Sequence, residues 1–435
     1  MKTRRDFLKL ACAMTAAGRL LPAQTTSDYK ALVCVFLFGG NDGNNTVVPM
    51  DSAAYAAYAK GRSSVALGAG SLAALSAQGQ AFGLHPQLAG LRDLYLQKRV
   101  AIVANTGMLD TPTTRDQYRK GLAATPKNLY SHSDQTLEWQ SANPIGGGAT
   151  GWGGRAIDVL GTANNGAFPP AVSVAGNSLL LTGSRTIPAN LSPGNEFGLE
   201  SIGGGSADTA RLDGLQEILT LDTGAKLVTA AGSVLQRGFD NARQVRAALG
   251  SAKPLQTVFP NSSLGSQMKQ IAQILSIRSQ IGASRQVFFC SQGGYDHHSE
   301  LLNGQDRRFA ELGPAMVAFY RATEELGVAT QVTSFTASEF GRTFNPSSTD
   351  GSDHAWGSHH FVVGGGVKGG DMYGRFPALE LQGPDDAGDR GTWIPTTSLD
   401  QYGATLASWF GVGAGDLSTV FPNLVNFSTK SLNFV

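Results

Sequence analysis

Long hydrophobic runs are missing from this chain. The longest, such as Ala31 to Gly40, reach about ten residues, against the roughly 20 that a membrane-spanning helix needs. Charge is scarce as well. Asp, Glu, Lys and Arg make up 15% of the residues, against roughly 25% in an average soluble domain. The formal net charge is +1, so no strongly basic surface points to nucleic acid. Disorder as the main state needs few apolar residues and a high net charge; with 41% hydrophobic residues, this chain has neither. Cysteine is rare, with three residues, of which Cys12 lies in the first segment. Cys34 and Cys290 do not make a disulfide framework. Both lie in apolar, strand-like runs and read as buried free thiols, although a bridge between adjacent strands is open in an oxidising envelope. What the chain does have is glycine, 55 of 435 residues, and enough apolar length for one large α/β domain or two to three smaller ones.

The first residues read as an address. Thr3-Arg4-Arg5-Asp6-Phe7-Leu8-Lys9 fits the twin-arginine pattern, and a modest apolar stretch follows from Leu10 to Gly18. Residues 1–23 are therefore expected to be a twin-arginine signal peptide, removed on export and kept out of fold reasoning. The remainder, 24–435, is expected to be one α/β domain with an inserted Gly-rich and helical region at about 190–260.

The mature chain alternates strands and helices. Lys30 to Phe38 is, after its lysine, a continuous apolar run that stops at Gly39-Gly40. This is the mark of a parallel strand buried on both faces. Helical spacing follows over 86–98, then a strand over 99–104; strand, helix, strand is the parallel crossover unit. Gly-rich loops are expected over 142–154 and 192–206, and helices with at least one break over 209–249. The second half predicts a helix from Ser263 to about Ile281, a strand at 286–290 and a long helix over 299–326, bent near Gly313-Pro314. Strands at 330–337 and 360–363 and a helix over 400–410 complete it.

Three of these strands run straight into polar clusters. The clusters are Gly39 to Thr46, Gly293 to His298 and Ser338 to Thr343, and a fourth, Asp353 to His360, leads into its strand. Ligands of open parallel sheets bind outside the carboxyl ends of the strands. Five of the seven histidines lie between 297 and 360, and histidine with carboxylate suits a divalent metal. Asp296 and His298, two apart, point the same way in extended chain. Asp42, Glu339, His354, His359 and His360 are the other candidate ligands. Asp42 has an alternative as plain turn chemistry.

With these residues assembled, the chain resembles a bacterial twin-arginine-exported family catalogued as domain of unknown function 1501. That family is in turn similar to the alkaline phosphatase/sulfatase superfamily. The matching stretches are FLFGGNDGNNTVVP (36–49), NLYSHSDQTLEWQ (128–140), GWGGR (151–155), GGYDHH (293–298), SEFGRTFN (338–345), GSDHAWGSHHFVVGGGVKGG (351–370) and VFPNL (420–424). The resemblance implies an alkaline phosphatase-like α/β fold: three layers, with a mostly parallel central sheet and helices on both faces. It implies divalent metal (Zn, Mn, Mg or Ca) at the strand ends, with Asp42, Asp296 and His298 in ligand places and His359 or His360 supplying a late histidine. Ser338-Glu339-Phe340 stands where an Asp-His pair is usual. The expected nucleophile is a hydroxyl at a helix N-terminus, for which Ser131, Ser133 and Thr46 are candidates; Ser131 reads better as a simple N-cap. Arg342 or Arg155 is expected to grip ester oxygens, or else to serve a structural ion pair.

The function these features predict is an exported, metal-dependent hydrolase of phosphate or sulfate esters, periplasmic or secreted. Its partners would be a small anionic ester and, during export, the twin-arginine translocon, with no nucleic acid and no transmembrane anchor. Two alternatives remain. One is a non-catalytic envelope protein that uses the same fold for binding or assembly. The other is a phosphoryl or sulfuryl transferase.

Overall fold

A computed structural model describes residues 28–161, 164, 168–191, 193, 205–221 and 225–435. Residues 1–23, expected to be a signal peptide, and most of the Gly-rich stretch 192–206 lie outside the described residues. A large mixed sheet organises the chain. Its strands are β1 (Lys30–Leu37), β5 (Val100–Gly107), β6 (Ala171–Ser173), β7 (Ala189–Asn190), β8 (Arg285–Gln292), β9 (Val332–Ala337), β10 (Ser358–Gly364), β11 (Met372–Tyr373) and β12 (Thr397–Ser398). Their order is β11-β5-β10-β9-β1-β8-β6-β7, with β12 beside β5. Every pairing is parallel except the two made by β10, which runs antiparallel to both β5 and β9. A small antiparallel sheet of β2 (Val47–Pro49), β3 (Ala73–Ala77) and β4 (Gln80–Leu84) stands apart.

The apolar run of β1 is buried along its length because both faces of the sheet are covered. Ala31, Val33, Val35 and Leu37 enter one core, shared with α2 (Ala89–Leu96), α7 (Ser263–Ser276) and α8 (Leu301–Glu325). Leu32, Cys34 and Phe36 enter the other, shared with α3 (His132–Ser141), α4 (Trp152–Leu160) and α9 (Leu399–Phe410). The fold is thus α/β in three layers with a mostly parallel sheet. The remaining longer helices are α1 (Ser52–Arg62), α5 (Ser206–Thr220) and α6 (Lys226–Ser251). The same alternation settles the cysteines: Cys34 and Cys290 belong to opposite cores. Both are free, and the expected alternative of a cross-strand bridge is set aside.

Two other expectations change. The stretch 142–154 is not all loop, because Trp152 opens α4. Gly154 sits inside that helix where a Cβ would come within 2.3 Å of the Thr182 backbone, so glycine there is a close-packing requirement rather than a loop signal. The long helix at 301–325 continues through Pro314.

Because β10 is antiparallel to its neighbours, its N-terminal end lies at the same edge as the carboxyl ends of β1, β5, β8 and β9. All four polar clusters therefore meet at one rim.

Candidate metal centre

The rim is knotted together by Gly39, which has φ +117°, a conformation open to glycine and strained for other residues. A Cβ on Gly39 would fall 2.4 Å from the Asp296 nitrogen. The Gly39 N–H donates to Glu339 Oε1 at 2.6 Å, and its carbonyl accepts from Arg342. Three strand ends are thereby tied through one residue.

Asp296 stands at the centre. Its Oδ1 lies 3.4 Å from His132 Nε2, 3.1 Å from His298 Nε2 and 3.3 Å from His354 Nε2. His298 Nε2 and His354 Nε2 are 3.1 Å apart. Each ring is fixed from behind. His132 Nδ1 meets Glu339 Oε1 at 2.9 Å, His354 Nδ1 meets the Tyr130 carbonyl at 2.8 Å, and His298 Nδ1 meets Asp353 Oδ1 at 3.2 Å. Carboxylates and carbonyls only accept, so every Nδ1 carries the proton, and in the neutral ring every Nε2 turns a lone pair toward Asp296. Lone pairs 3.1–3.4 Å from an anionic oxygen repel, so a proton on a ring or a cation lies among them. His132 Nε2 is buried with no hydrogen-bond partner. Among the described residues, His132, Asp296 and His354 have ligand atoms all within 4.8 Å of one another. Around a zinc-sized ion with bonds of about 2.0–2.1 Å, tetrahedral ligand atoms stand roughly 3.3–3.4 Å apart. The donor set and its spacing fit a divalent cation held by two imidazoles and a carboxylate, with His298 bordering them. Backing imidazoles with carboxylate or carbonyl acceptors is the usual support of metal-ligating histidines.

The electrostatics agree. Burial raises the Asp296 carboxyl, but the Arg342 hydrogen bond and charge, with His132 and His298, outweigh it and hold the group down at about 2. The Glu339 hydrogen bond raises His132, which favours its protonated form, so a metal at Nε2 would displace a proton there. Burial lowers His354, which keeps that ring neutral. Phe340 packs on both, its centroid 4.8 Å from His132 and 4.7 Å from His354.

The local chain positions His132 by capping. Ser131 is the N-cap of α3, which makes His132 the first helical residue. The approach is strained, with φ 50° at Asn128 and φ 78° at Tyr130, and the Tyr130 carbonyl is the one that orients His354.

The sequence candidates divide accordingly. Asp296, His298 and His354 come together. Glu339 joins them from behind, through His132, rather than by facing the same space. Asp42 does not join. It is 1% exposed, its Oδ1 caps Asn44 N at 3.0 Å, and its Oδ2 pairs with the fully buried Arg62. Both oxygens are committed within the turn Gly43–Thr46 and to α1, so the turn reading describes it. His359 and His360 face opposite sides of the sheet. His359 accepts from Asn105 N at 3.0 Å and stacks on Phe376; His360 packs between Trp139 and Tyr402. Burial pushes both down to about 3, the mark of neutral core histidines. Arg342 donates to Gly39, Gly40, Ser352 and Asp296. Its fork is therefore spent on holding Asp296 and has nothing left for an ester. Arg155 is spent likewise on the Thr150, Ser141 and Val420 carbonyls, and Thr46 on the Asp42 carbonyl. Ser131 donates to Asp134 Oδ2 at 2.6 Å, consistent with its cap role. Ser133, exposed, lies 3.2 Å from Ser131 Oγ.

Sequence reasoning missed His132. It lies inside the quoted motif NLYSHSDQ, but the serines around it drew the attention. Its signal was its place beside an N-cap serine, since the first turn of a helix is where a side chain can be aimed past the helix end.

The family model described as "Protein of unknown function (DUF1501)" matches residues 29–387, and the chain belongs to that family. No curated protein sequence matches it. Among solved structures it is similar to the lipoteichoic acid synthase LtaP of Listeria monocytogenes, at 7% identity, covering 92% of this chain and 76% of that one, with a TM-score of 0.37. It is also similar to the PsFucS1 sulfatase of a Pseudoalteromonas species (10% identity, 87% and 70% covered, TM-score 0.32). A third is the phosphonate monoester hydrolase of Agrobacterium radiobacter (9%, 88% and 74%, TM-score 0.34). Likenesses this distant carry no residue-level argument.

Proposed function

We propose that this protein is an exported, metal-dependent hydrolase of phosphate or sulfate esters. The observation that carries the reading is the convergence of imidazole nitrogens on Asp296 Oδ1 at the rim of the sheet, a donor set that suits a divalent cation. His132, Asp296 and His354 would hold that ion. When bound, it supplies Lewis-acid polarisation of an anionic ester. Arg342 keeps Asp296 ionised and aimed. Asp353, itself held by Arg390, fixes the His298 ring with Nε2 toward Asp296. Ser133 is the exposed hydroxyl at the first turn of α3, with Ser131 and Asp134 as a hydrogen-bonded chain behind it. Export by the twin-arginine route follows from residues 3–9. Among the described residues, no helix is long and apolar enough to cross a membrane.

The test is turnover of phosphate, sulfate and phosphonate ester panels with Zn, Mn, Mg and Ca added in turn, repeated with Asp296→Ala. Turnover that disappears in the variant supports the reading. A folded, metal-loaded protein that converts none of these esters refutes it. One observation favours a non-catalytic alternative: Arg342, Arg155 and Ser131 are all committed internally, which leaves few groups to grip an ester. In that case ligands bind to the metal-loaded protein without conversion. Transfer to an added alcohol, in place of hydrolysis, would mark a transferase.

A further inference from the structure

Helix α3, which presents His132 and Ser133 at the rim, hides an acid on its inner side. Glu138 and Gln135 stand one turn apart on it, both 0% exposed. Gln135 Nε2–H donates to Glu138 Oε2. The other two oxygens of the pair, Gln135 Oε1 and Glu138 Oε1, are buried with no hydrogen-bond partner. Both only accept while the acid is ionised, and a buried acceptor left unpaired costs free energy. Turning the Gln135 amide over brings no relief, because an oxygen then faces the carboxylate. One hydrogen on Glu138 Oε1 satisfies both orphans. It donates to Gln135 Oε1 while Gln135 Nε2 donates to Oε2, which closes an acid–amide ring of two hydrogen bonds.

The surroundings supply no compensating cation. The charges that reach Glu138 are Asp134 on its own helix and Lys127 on the segment that leads into it. α4 packs on α3 and carries Arg155, whose N–H groups go to the Thr150, Ser141 and Val420 carbonyls, and Asp158, which holds the turn Ser184 to Thr186. The turn Leu179–Leu181 also packs there and has no titratable group. β10 meets Trp139 with His360, a neutral core histidine. Burial dominates and pushes the Glu138 carboxyl up to about 8, with Asp134 adding to it; the Gln135 hydrogen bond and Lys127 oppose it and do not prevail.

A bare anion at this place would have to draw in water. The carboxyl lies by the Lys127 backbone, where Lys127 N is tied to the Pro144 carbonyl at 2.8 Å. From that tie the chain runs through Asn128 and Tyr130, both at positive φ, straight into His132.

We propose that Glu138 carries a proton at neutral pH, closed in this ring with Gln135, and that the ring is a latch. Alkaline release of the proton hydrates the site, opens the Lys127 tie and loosens the approach to His132. The proposal is independent of the ester-hydrolase reading, because none of its readouts is turnover.

The test compares the whole chain with Glu138→Gln, which replaces the ring by an amide pair of the same shape that does not titrate. Unfolded, the acid titrates near about 4.3, below its folded value. Its contribution to stability is therefore full below about 4.3 and lost as pH rises to about 8. Between about pH 5 and 7.5 the unfolding constant of the wild type should rise, relative to the variant, close to tenfold per pH unit, the linkage of one proton. Infrared difference spectra at neutral pH should show one protonated carboxyl that the variant lacks. Hydrogen exchange should show residues 127–133 losing protection above about pH 8 in the wild type, relative to α9, and not in the variant. Parallel pH slopes, or no difference in protonated carboxyl, overturn the proton. Equal exchange of 127–133 in both chains overturns the latch. Should Glu138→Gln fail to fold, infrared titration of Asp400→Asn decides, since that change removes the other buried acid, raised to about 7. A protonated carboxyl that titrates near 8 is then expected, and its absence overturns the proposal.

Discussion

Glu339→Gln separates a residue that positions a metal ligand from one that is a ligand. The glutamate is 2% exposed, and one oxygen, Oε1, accepts from both Gly39 N at 2.6 Å and His132 Nδ1 at 2.9 Å. Glutamine keeps the shape, so with its carbonyl in the Oε1 place both hydrogen bonds survive. What is lost is the charge, and charge-assisted hydrogen bonds are roughly twice as strong as neutral ones. The His132 ring stays in place but becomes a poorer donor to the ion. Loss of such a supporting group typically costs 10–100-fold in metal affinity. With geometry retained the lower end applies, about tenfold or about 1.4 kcal/mol. Removing a ligand is a different scale. Structural zinc sites bind with about 10–16 kcal/mol, so one of four ligands is worth roughly 2.5–4 kcal/mol, about 60-fold to 700-fold. Competition titration against a chromophoric chelator, for wild type, Glu339→Gln and His132→Ala, reads both effects. An unchanged affinity in Glu339→Gln, or a loss as large as in His132→Ala, would refute the reasoning.

Further outcomes follow from the buried groups. Asp42→Ala leaves Arg62 charged and unpaired inside the protein and costs about 3–5 kcal/mol in chemical denaturation; metal stoichiometry stays the same, and loss of metal from the folded variant would restore Asp42 to the ligand set. His359 and His360 are neutral when folded, at about 3, and take up protons below about 6.5 when unfolded. Stability is therefore full above about 6.5 and falls as pH drops from there toward 3, by at most about 1.4 kcal/mol per pH unit for each ring. His360→Gln should reduce that slope by close to one proton, read from denaturation midpoints between pH 6 and pH 4, and an unchanged slope would contradict the assignment. Thiol counting on the denatured, unreduced chain should find Cys34 and Cys290 both reactive; a bridge between them would mean that the two do not lie on opposite faces of the sheet.

The sheet was readable because its central strands are covered on both faces. Lys30–Leu37 and Val100–Gly107 carry continuous apolar runs, and each stops at a glycine or polar group. The rim was readable for the same reason: the clusters at 293–298 and 338–343 follow their strands directly. Which groups within the clusters do chemistry was not. Asp42 looks like a ligand until Arg62 is seen beside it, and nothing in the pattern of α1 announces a partner for a turn 20 residues earlier. His359-His360 looks like a metal pair, but consecutive residues in a strand covered on both faces go to opposite cores. Glu339 and His132 are 207 residues apart, and no spacing rule reaches that far. The small strands at 171–173, 189–190, 372–373 and 397–398 are too short to leave a period.

The most direct measurement is the metal itself. Elemental analysis and calorimetric titration of the chain purified without chelators should give one divalent ion per chain, lost together in Asp296→Ala and His354→Ala. A folded wild-type chain that takes up no zinc, manganese, magnesium or calcium, or that keeps its ion in both variants, would contradict the account.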